Sequence, residues 1–133
     1  MIWALALGVV VLVGGIGWLQ LNWLVVTVSG PSMRPTLQPG DRILVRRASA
    51  GRIRTGQVVV LNTPFELIIK RVAAVPGDRV PPGLAADDED LVPPGRLILL
   101  GDNPGRSADS RQLGYYDSAK LIGVAVRPLR NTT

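Results

Sequence analysis

Residues 2–19 are apolar without interruption, and from residue 20 onward the pattern breaks into short alternating runs separated by Pro and Gly. At about 1.5 Å per residue, a helix over the first block is roughly 27 Å long, close to the ~30 Å hydrocarbon core of a bilayer. Trp18, Gln20, Asn22 and Trp23 fall where a headgroup interface is expected, because Trp favours that depth. The pattern predicts a transmembrane anchor over residues 1–24, followed by a domain over residues 25–133. A cleaved signal peptide would carry a basic leading region and a small-x-small exit, and the block has neither. The core helix of a globular protein rarely needs so long an uncharged run.

After the anchor the period is that of strands. A β-branched run at 24–28 ends at Gly30-Pro31, and 42–47 alternates with Ile43 and Val45 on one face. Segments 57–61, 66–75, 96–100 and 121–126 are further strand candidates. Pro39-Gly40-Asp41 and Pro76-Gly77-Asp78 are turn signals, since Pro presets φ and Gly accepts positive φ. Beyond the anchor only 118–121 suggests a helical turn. The fold class expected is mainly β, a compact β domain preceded by one N-terminal transmembrane helix.

Composition narrows the chemistry. The 133 residues include no Cys and no His. This excludes disulfides, thiolate nucleophiles, the imidazole base of a Ser-His-Asp triad and the commonest metal ligands. All 15 basic and all 10 acidic residues follow position 33, so the domain carries the whole net charge of +5. Arg42, Arg46, Arg47, Arg52 and Arg54 cluster. With no helix-turn-helix pattern and no interleaved aromatics, they do not point to a nucleic-acid partner. They read as a solvated strand face with some attraction to anionic lipid heads. The positive-inside tendency would hold the domain in the cytoplasm, but folded domains translocate largely regardless of charge, so charge leaves the side open. The acidic run Asp87-Asp88-Glu89-Asp90 lacks calcium-loop spacing and reads as a solvated loop.

With His and Cys gone, serine is the available nucleophile and lysine a possible base. Of the two lysines, Lys120 follows a turn and reads as exposed. Lys70 lies within the apolar run 67–75, where alternation places it on the face of Ile68 and Val72, with Arg71 on the other. A buried face would desolvate the ammonium and favour the neutral amine, whereas a lysine at a sheet edge would snorkel to solvent. Ser32 sits between Pro31 and Met33-Arg34-Pro35, directly after a strand. Such a rigid turn can hold a nucleophile in one geometry, and it is equally the setting of an ordinary turn serine.

Four blocks, in order behind the apolar helix, resemble the type I signal peptidases, membrane-bound serine proteases with a Ser-Lys dyad. They are Gly30-Pro31-Ser32-Met33-Arg34-Pro35-Thr36-Leu37, Pro39-Gly40-Asp41-Arg42-Ile43-Leu44-Val45, Ile69-Lys70-Arg71-Val72-Ala73-Ala74-Val75-Pro76-Gly77-Asp78 and Gly101-Asp102-Asn103-Pro104-Gly105-Arg106-Ser107-Ala108-Asp109-Ser110-Arg111. The resemblance implies Ser32 as nucleophile and Lys70 as general base, their side chains within hydrogen-bond reach. It implies Ser107 as the hydroxyl orienting the lysine, Asp109 and Arg111 as a bracing ion pair, and Asp102 with Asn103 as a supporting turn. It further implies preprotein signal peptides bound as an added strand, cleavage after Ala-x-Ala-like sequences, no metal or organic cofactor, and an active domain on the extracytoplasmic face of a plasma membrane.

Two positions depart from the family pattern. Many bacterial members carry a hydroxyl where this chain has Gly30, and Pro31 has no N–H, so the Ser32 backbone N–H is the surest oxyanion donor. Only 30 residues separate Lys70 from Gly101. This implies a minimal, single-anchor form without the extra β-region of larger members. Three other readings remain: a maturation protease for one client precursor, a non-catalytic anchored β module that binds peptides, and a self-cleaving regulator of the SOS-repressor type. The last would ordinarily bring a DNA-binding domain in place of the anchor. Any partner subunit is left open.

Overall fold

The computed structural model describes residues 1–84 and 89–129. Asp87 and Asp88 of the acidic run lie outside them. The apolar block forms one helix, α1, Ile2–Asn22, with none of its residues buried by the protein and a mean hydropathy of 2.3 in its most apolar window. It is long and apolar enough to cross a membrane. Trp23 and Leu24, placed at the end of the anchor segment by the sequence pattern, are instead the first residues of strand β1, Trp23–Thr27. The β-branched run ends the helix because it fits a pleated surface better than a helical one.

The remaining strands are β2 Arg42–Arg47, β3 Val58–Asn62, β4 Leu67–Ala74, β5 Arg96–Leu100, β6 Tyr116–Asp117 and β7 Leu121–Pro128. They build one seven-stranded antiparallel sheet in the order β1-β2-β7-β3-β4-β5-β6. The mainly β expectation therefore holds, each predicted strand being present within one or two residues. Beyond it lie the two-residue β6 and a one-turn helix, α2, Ser110–Leu113. Neither has enough length to show a period. The turn at 118–121 is a 3₁₀ turn at Ser118–Lys120.

Both faces of the sheet bury apolar side chains. Val26, Met33, Leu37, Ile43, Val45, Val60 and Ile69 pack on one side. Val59, Leu61, Val72, Leu97, Leu99 and Val124 form a second cluster, joined by the half-buried Ile68. At about 1.5–3 kcal/mol for each fully buried aliphatic side chain, these clusters are the main favourable term in folding. β3, β4 and β5 all contribute to the second cluster, and this is where Lys70 sits. The turn at 76–78 feeds β4 out of the sheet. Gly77 has φ 90°, Asp78 Oδ2 accepts from the Val75 N–H at 3.1 Å, and the Asp78 N–H donates back to the Val75 carbonyl at 3.0 Å, which closes the turn.

Candidate active site

Ser32 and Lys70 line the same cleft, a cavity of about 240 Å³ bounded on one side by residues 28–33 and on the other by residues 66–70. Its remaining walls come from Arg106 and Ala108. Strand periodicity and cluster packing account for the lysine. Ile68 and Val72, its neighbours on the same face, pack in the second cluster, and Lys70 is 6% exposed. The lysine is thus buried and does not snorkel. Arg71 points the other way and meets different partners, as alternation requires.

Burial pushes the Lys70 ammonium below the ordinary lysine value, and the positive Arg111 adds to this. The carboxylates of Asp109 and Glu66 act in the opposite sense. Lys70 Nζ donates to Ser107 Oγ at 3.1 Å, and Ser107 Oγ donates to Asp109 Oδ2 at 2.7 Å. The direction of this chain has a chemical consequence. Because the Ser107 proton is committed to a carboxylate, Ser107 can only accept from the lysine. An N–H of Lys70 is directed at Ser107, and the lone pair of a neutral amine must point elsewhere.

Asp109 is fully buried, which by itself would favour the neutral acid. Against that, Arg111, the Gly101 N–H, Ser107 and the Arg111 N–H all donate to its carboxylate and hold it well below the usual carboxylate range. Arg111 contributes Nε at 2.9 Å and one Nη at 2.5 Å, while the same Nη reaches the Gly101 carbonyl at 3.0 Å. Asp109 also caps α2 in a reciprocal capping box with Gln112. One carboxylate thus starts a helix, braces an arginine and orients a serine. The sequence Asp-Ser-Arg-Gln at 109–112 is a capping-box signal that would have exposed α2.

The Ser32 turn is held from the same segment. The Asn103 N–H donates to the Ser32 carbonyl at 2.8 Å, and Asn103 Nδ2 donates to the Pro31 carbonyl at 3.0 Å. Next to it, Asp102 accepts from Arg71 Nε at 2.9 Å and Nη at 2.7 Å, and from Thr36 Oγ1 at 2.6 Å. The arginine bonds hold Asp102 ionised, lowering its pKa. Asp102 therefore ties β4 to the Ser32 loop through Arg71 and Thr36. The bonds of Arg71 and Thr36 to Asp102, and the grip of Asn103 on Ser32, were not legible in the motif. The hint was Arg71, a lone cation on the face of β4 opposite Lys70.

Gly30 is exposed, with φ 78°, and bends the chain into the turn without offering a side-chain donor. The Ser32 N–H has no acceptor among the described residues and is free to point at a ligand in the cleft. No hydrogen bond joins Ser32 to Lys70 among the described residues, so the expected direct contact is not made here. The lysine's donated bond goes instead to Ser107, whose oxygen is made a strong acceptor by its own bond to a carboxylate. Lys120, the other lysine, is exposed.

Comparison with known proteins places this architecture. The family model described as signal peptidase, peptidase S26, matches residues 1–83 and 83–129. A mitochondrial ATP-independent inner membrane protease subunit 1a from Arabidopsis thaliana is 39% identical over 110 residues, covering 74% of this chain and 66% of the relative. The mitochondrial inner membrane protease subunit 1 of Mus musculus is 36% identical over 98 residues, covering 68% and 59%. Signal peptidase I of Bacillus caldolyticus is 29% identical over 133 residues, covering 72% and 73%. The chain spans from 59% to 66% of the length of these two mitochondrial relatives. With the apolar helix, the seven-stranded sheet and the Ser32–Lys70 cleft, the family match leads to one conclusion: this chain belongs to the peptidase S26 signal peptidase family.

Proposed function

We propose that the chain is a membrane-anchored serine endopeptidase that removes signal peptides from exported preproteins, with Ser32 as nucleophile and Lys70 as general base. The observation that carries the reading is the polar chain from Lys70 through Ser107 to Asp109 and Arg111, set in the same cleft as Ser32. A binding module has no use for a buried lysine oriented in this way. In the proposed reaction the neutral Lys70 amine takes the Ser32 hydroxyl proton as Oγ attacks the scissile carbonyl. The Ser32 N–H stabilises the oxyanion. Collapse of the tetrahedral intermediate breaks the C–N bond, and the Lys70 ammonium returns its proton to the leaving amine. Water then loses a proton to Lys70 as it attacks the acyl-enzyme, which releases the acid product and restores Ser32.

Substrate binding as an added strand has structural support. Residues 67–71 of β4 pair with β3, yet pairing with β5 begins only at Arg71. The edge from Leu67 to Lys70 therefore faces the cleft without a partner strand, as a ladder for an extended peptide requires. The cleft's small volume and its apolar lining of Val28, Met33, Ile68 and Ile69 suit small side chains of the Ala-x-Ala type. By the family resemblance the domain works on the extracytoplasmic face of a plasma membrane. The mitochondrial relatives are named as subunits of an inner membrane protease. They favour a second reading, a protease with a partner subunit and a narrow set of client precursors.

The test is cleavage of a preprotein with an Ala-x-Ala site by the purified chain in liposomes, beside Ser32→Ala and Lys70→Ala. Cleavage by the wild type, lost in both variants, is expected. Cleavage that survives Ser32→Ala would refute the dyad. Failure on a broad panel, with capture of one precursor by Ser32→Ala, would select the single-client reading.

A further inference from the structure

A cleft larger than the one at Ser32, and sharing no lining residue with it, lies at the junction of α1 and the sheet. It is a cavity of about 530 Å³ lined by Trp18, Asn22 and Trp23 on the helix side. On the domain side the lining includes Arg46, Arg47, Arg52 and Arg54, with Ile53 beneath. Chain geometry places these groups together. Asn22 Nδ2 closes the helix end on the Trp18 carbonyl at 2.8 Å, and the antiparallel register sets Trp23 opposite Arg46. The 3₁₀ turn Ala50–Arg52 then brings Arg52 and Arg54 back towards the same opening.

All four arginines are exposed, and no Asp or Glu lines the cleft. Among the described residues the only ion pairs are Arg71–Asp102 and Arg111–Asp109, so none of the four has a protein counter-charge. Four guanidinium groups around one opening repel one another, and an anion there relieves that repulsion. Guanidinium forks match phosphate oxygens two at a time, which a diffuse counter-ion does not exploit. Position identifies the source of the anion. The cleft opens where an apolar helix of membrane-spanning length ends, beside two Trp side chains, at the depth where lipid phosphates lie.

We propose that this cleft binds the phosphate of an anionic phospholipid headgroup. The bound lipid fixes the domain on the bilayer surface through the Arg46–Arg47 end of β2 and the Arg52–Arg54 segment. This site is separate from the Ser32 cleft, and its test needs no proteolytic readout.

The full chain carrying Trp3→Phe is reconstituted in phosphatidylcholine vesicles. Quenching of Trp18 and Trp23 is then compared between phosphatidylglycerol and phosphatidylcholine with brominated acyl chains. A preference for phosphatidylglycerol of at least about tenfold is expected, since each basic group near an anionic surface contributes severalfold. Arg46→Gln with Arg52→Gln should bring the ratio close to one. Arg79→Gln with Arg96→Gln, which removes the same charge elsewhere, should leave it in place. All these side chains are exposed, and a circular dichroism melt confirms that both pairs fold. Equal quenching by the two lipids in the wild type, or equal loss of preference in both variant pairs, would overturn the proposal. Relief of the quenching by excess inorganic phosphate would reassign the cleft to a soluble anion and overturn the membrane headgroup.

Discussion

Asn103 grips the Ser32 turn from 72 residues beyond Pro31, its N–H on the Ser32 carbonyl at 2.8 Å and its side-chain amide on the Pro31 carbonyl at 3.0 Å. The backbone bond survives any substitution at 103 that keeps the loop, but the side-chain bond does not. Asn103→Ala should therefore lower kcat by about tenfold to a hundredfold through misplacement of Ser32, with KM changed far less. It should cost about 1 kcal/mol of stability in a thermal melt. An unchanged kcat would show that the turn holds Ser32 without the amide.

Gly101 lies where the Ser107 side chain and the Ser32 carbonyl converge, and a methyl group on it would overlap both. Gly101→Ala should displace Ser107 from Lys70 and push on the Ser32 turn at once. We expect loss of cleavage together with destabilisation of about 1–3 kcal/mol, the range for overpacking a closed site. A stable, active Gly101→Ala chain would mean that the 101–107 loop yields more readily than its hydrogen bonds indicate.

The pH dependence of cleavage should follow the Lys70 amine, which must be neutral to act as the proposed general base. Burial lowers its pKa, so the acid limb of kcat/KM lies below the 10.5 of an ordinary lysine. Activity rises with pH through that limb as the ammonium loses its proton. Glu66 favours the charged form, so Glu66→Gln should shift the limb to lower pH. A shift to higher pH, or none, would disconnect the limb from Lys70.

Asp109 links the site to stability. Its folded pKa is depressed below the ordinary 3.8, chiefly by Arg111, the Gly101 N–H and Ser107 acting against burial. The sign follows directly: the stabilisation is present above the unfolded value and is lost as pH falls below it towards the folded one. Melting in a non-ionic detergent should fall off below about pH 4 in the wild type. Asp109→Asn should flatten this fall. At neutral pH it should cost about 1–3 kcal/mol, because the charge facing Arg111 is lost and one accepting oxygen becomes an NH2 donor set against Arg111 or Ser107. A steep acid loss that persists in Asp109→Asn would assign it to other carboxylates.

The apolar helix and the strands were legible from the sequence because each depends on local rules. An unbroken apolar block as long as a bilayer is thick admits few other uses, and alternation with Pro-Gly punctuation marks strands wherever one face is buried. That Ser32 and Lys70 line one cleft was legible only through motif order, since no periodicity relates a turn serine to a strand lysine. Alternation correctly separated Lys70 from Arg71, but it could not say that the lysine's face is the closed one. That depended on Ile68 and Val72 joining one cluster with Val59, Leu97, Leu99 and Val124, which come from segments far apart in the chain.

Several features were decided only by the tertiary structure. They are the direction of the Lys70–Ser107–Asp109 hydrogen bonds, the grip of Asn103 on Ser32, the Arg71–Asp102–Thr36 tie and the arginine cleft beside Trp18. All are side-chain encounters across long sequence separations or across the helix–sheet junction. Their geometry is set by sheet order and register, and a one-dimensional pattern carries neither. What the sequence determined alone is the set of parts and their local shapes: one apolar helix, a β domain, a serine in a rigid turn and a lysine on an apolar strand. Which polar atoms meet, and which stay free for a substrate or a lipid, depended on how the antiparallel sheet brought its loops together.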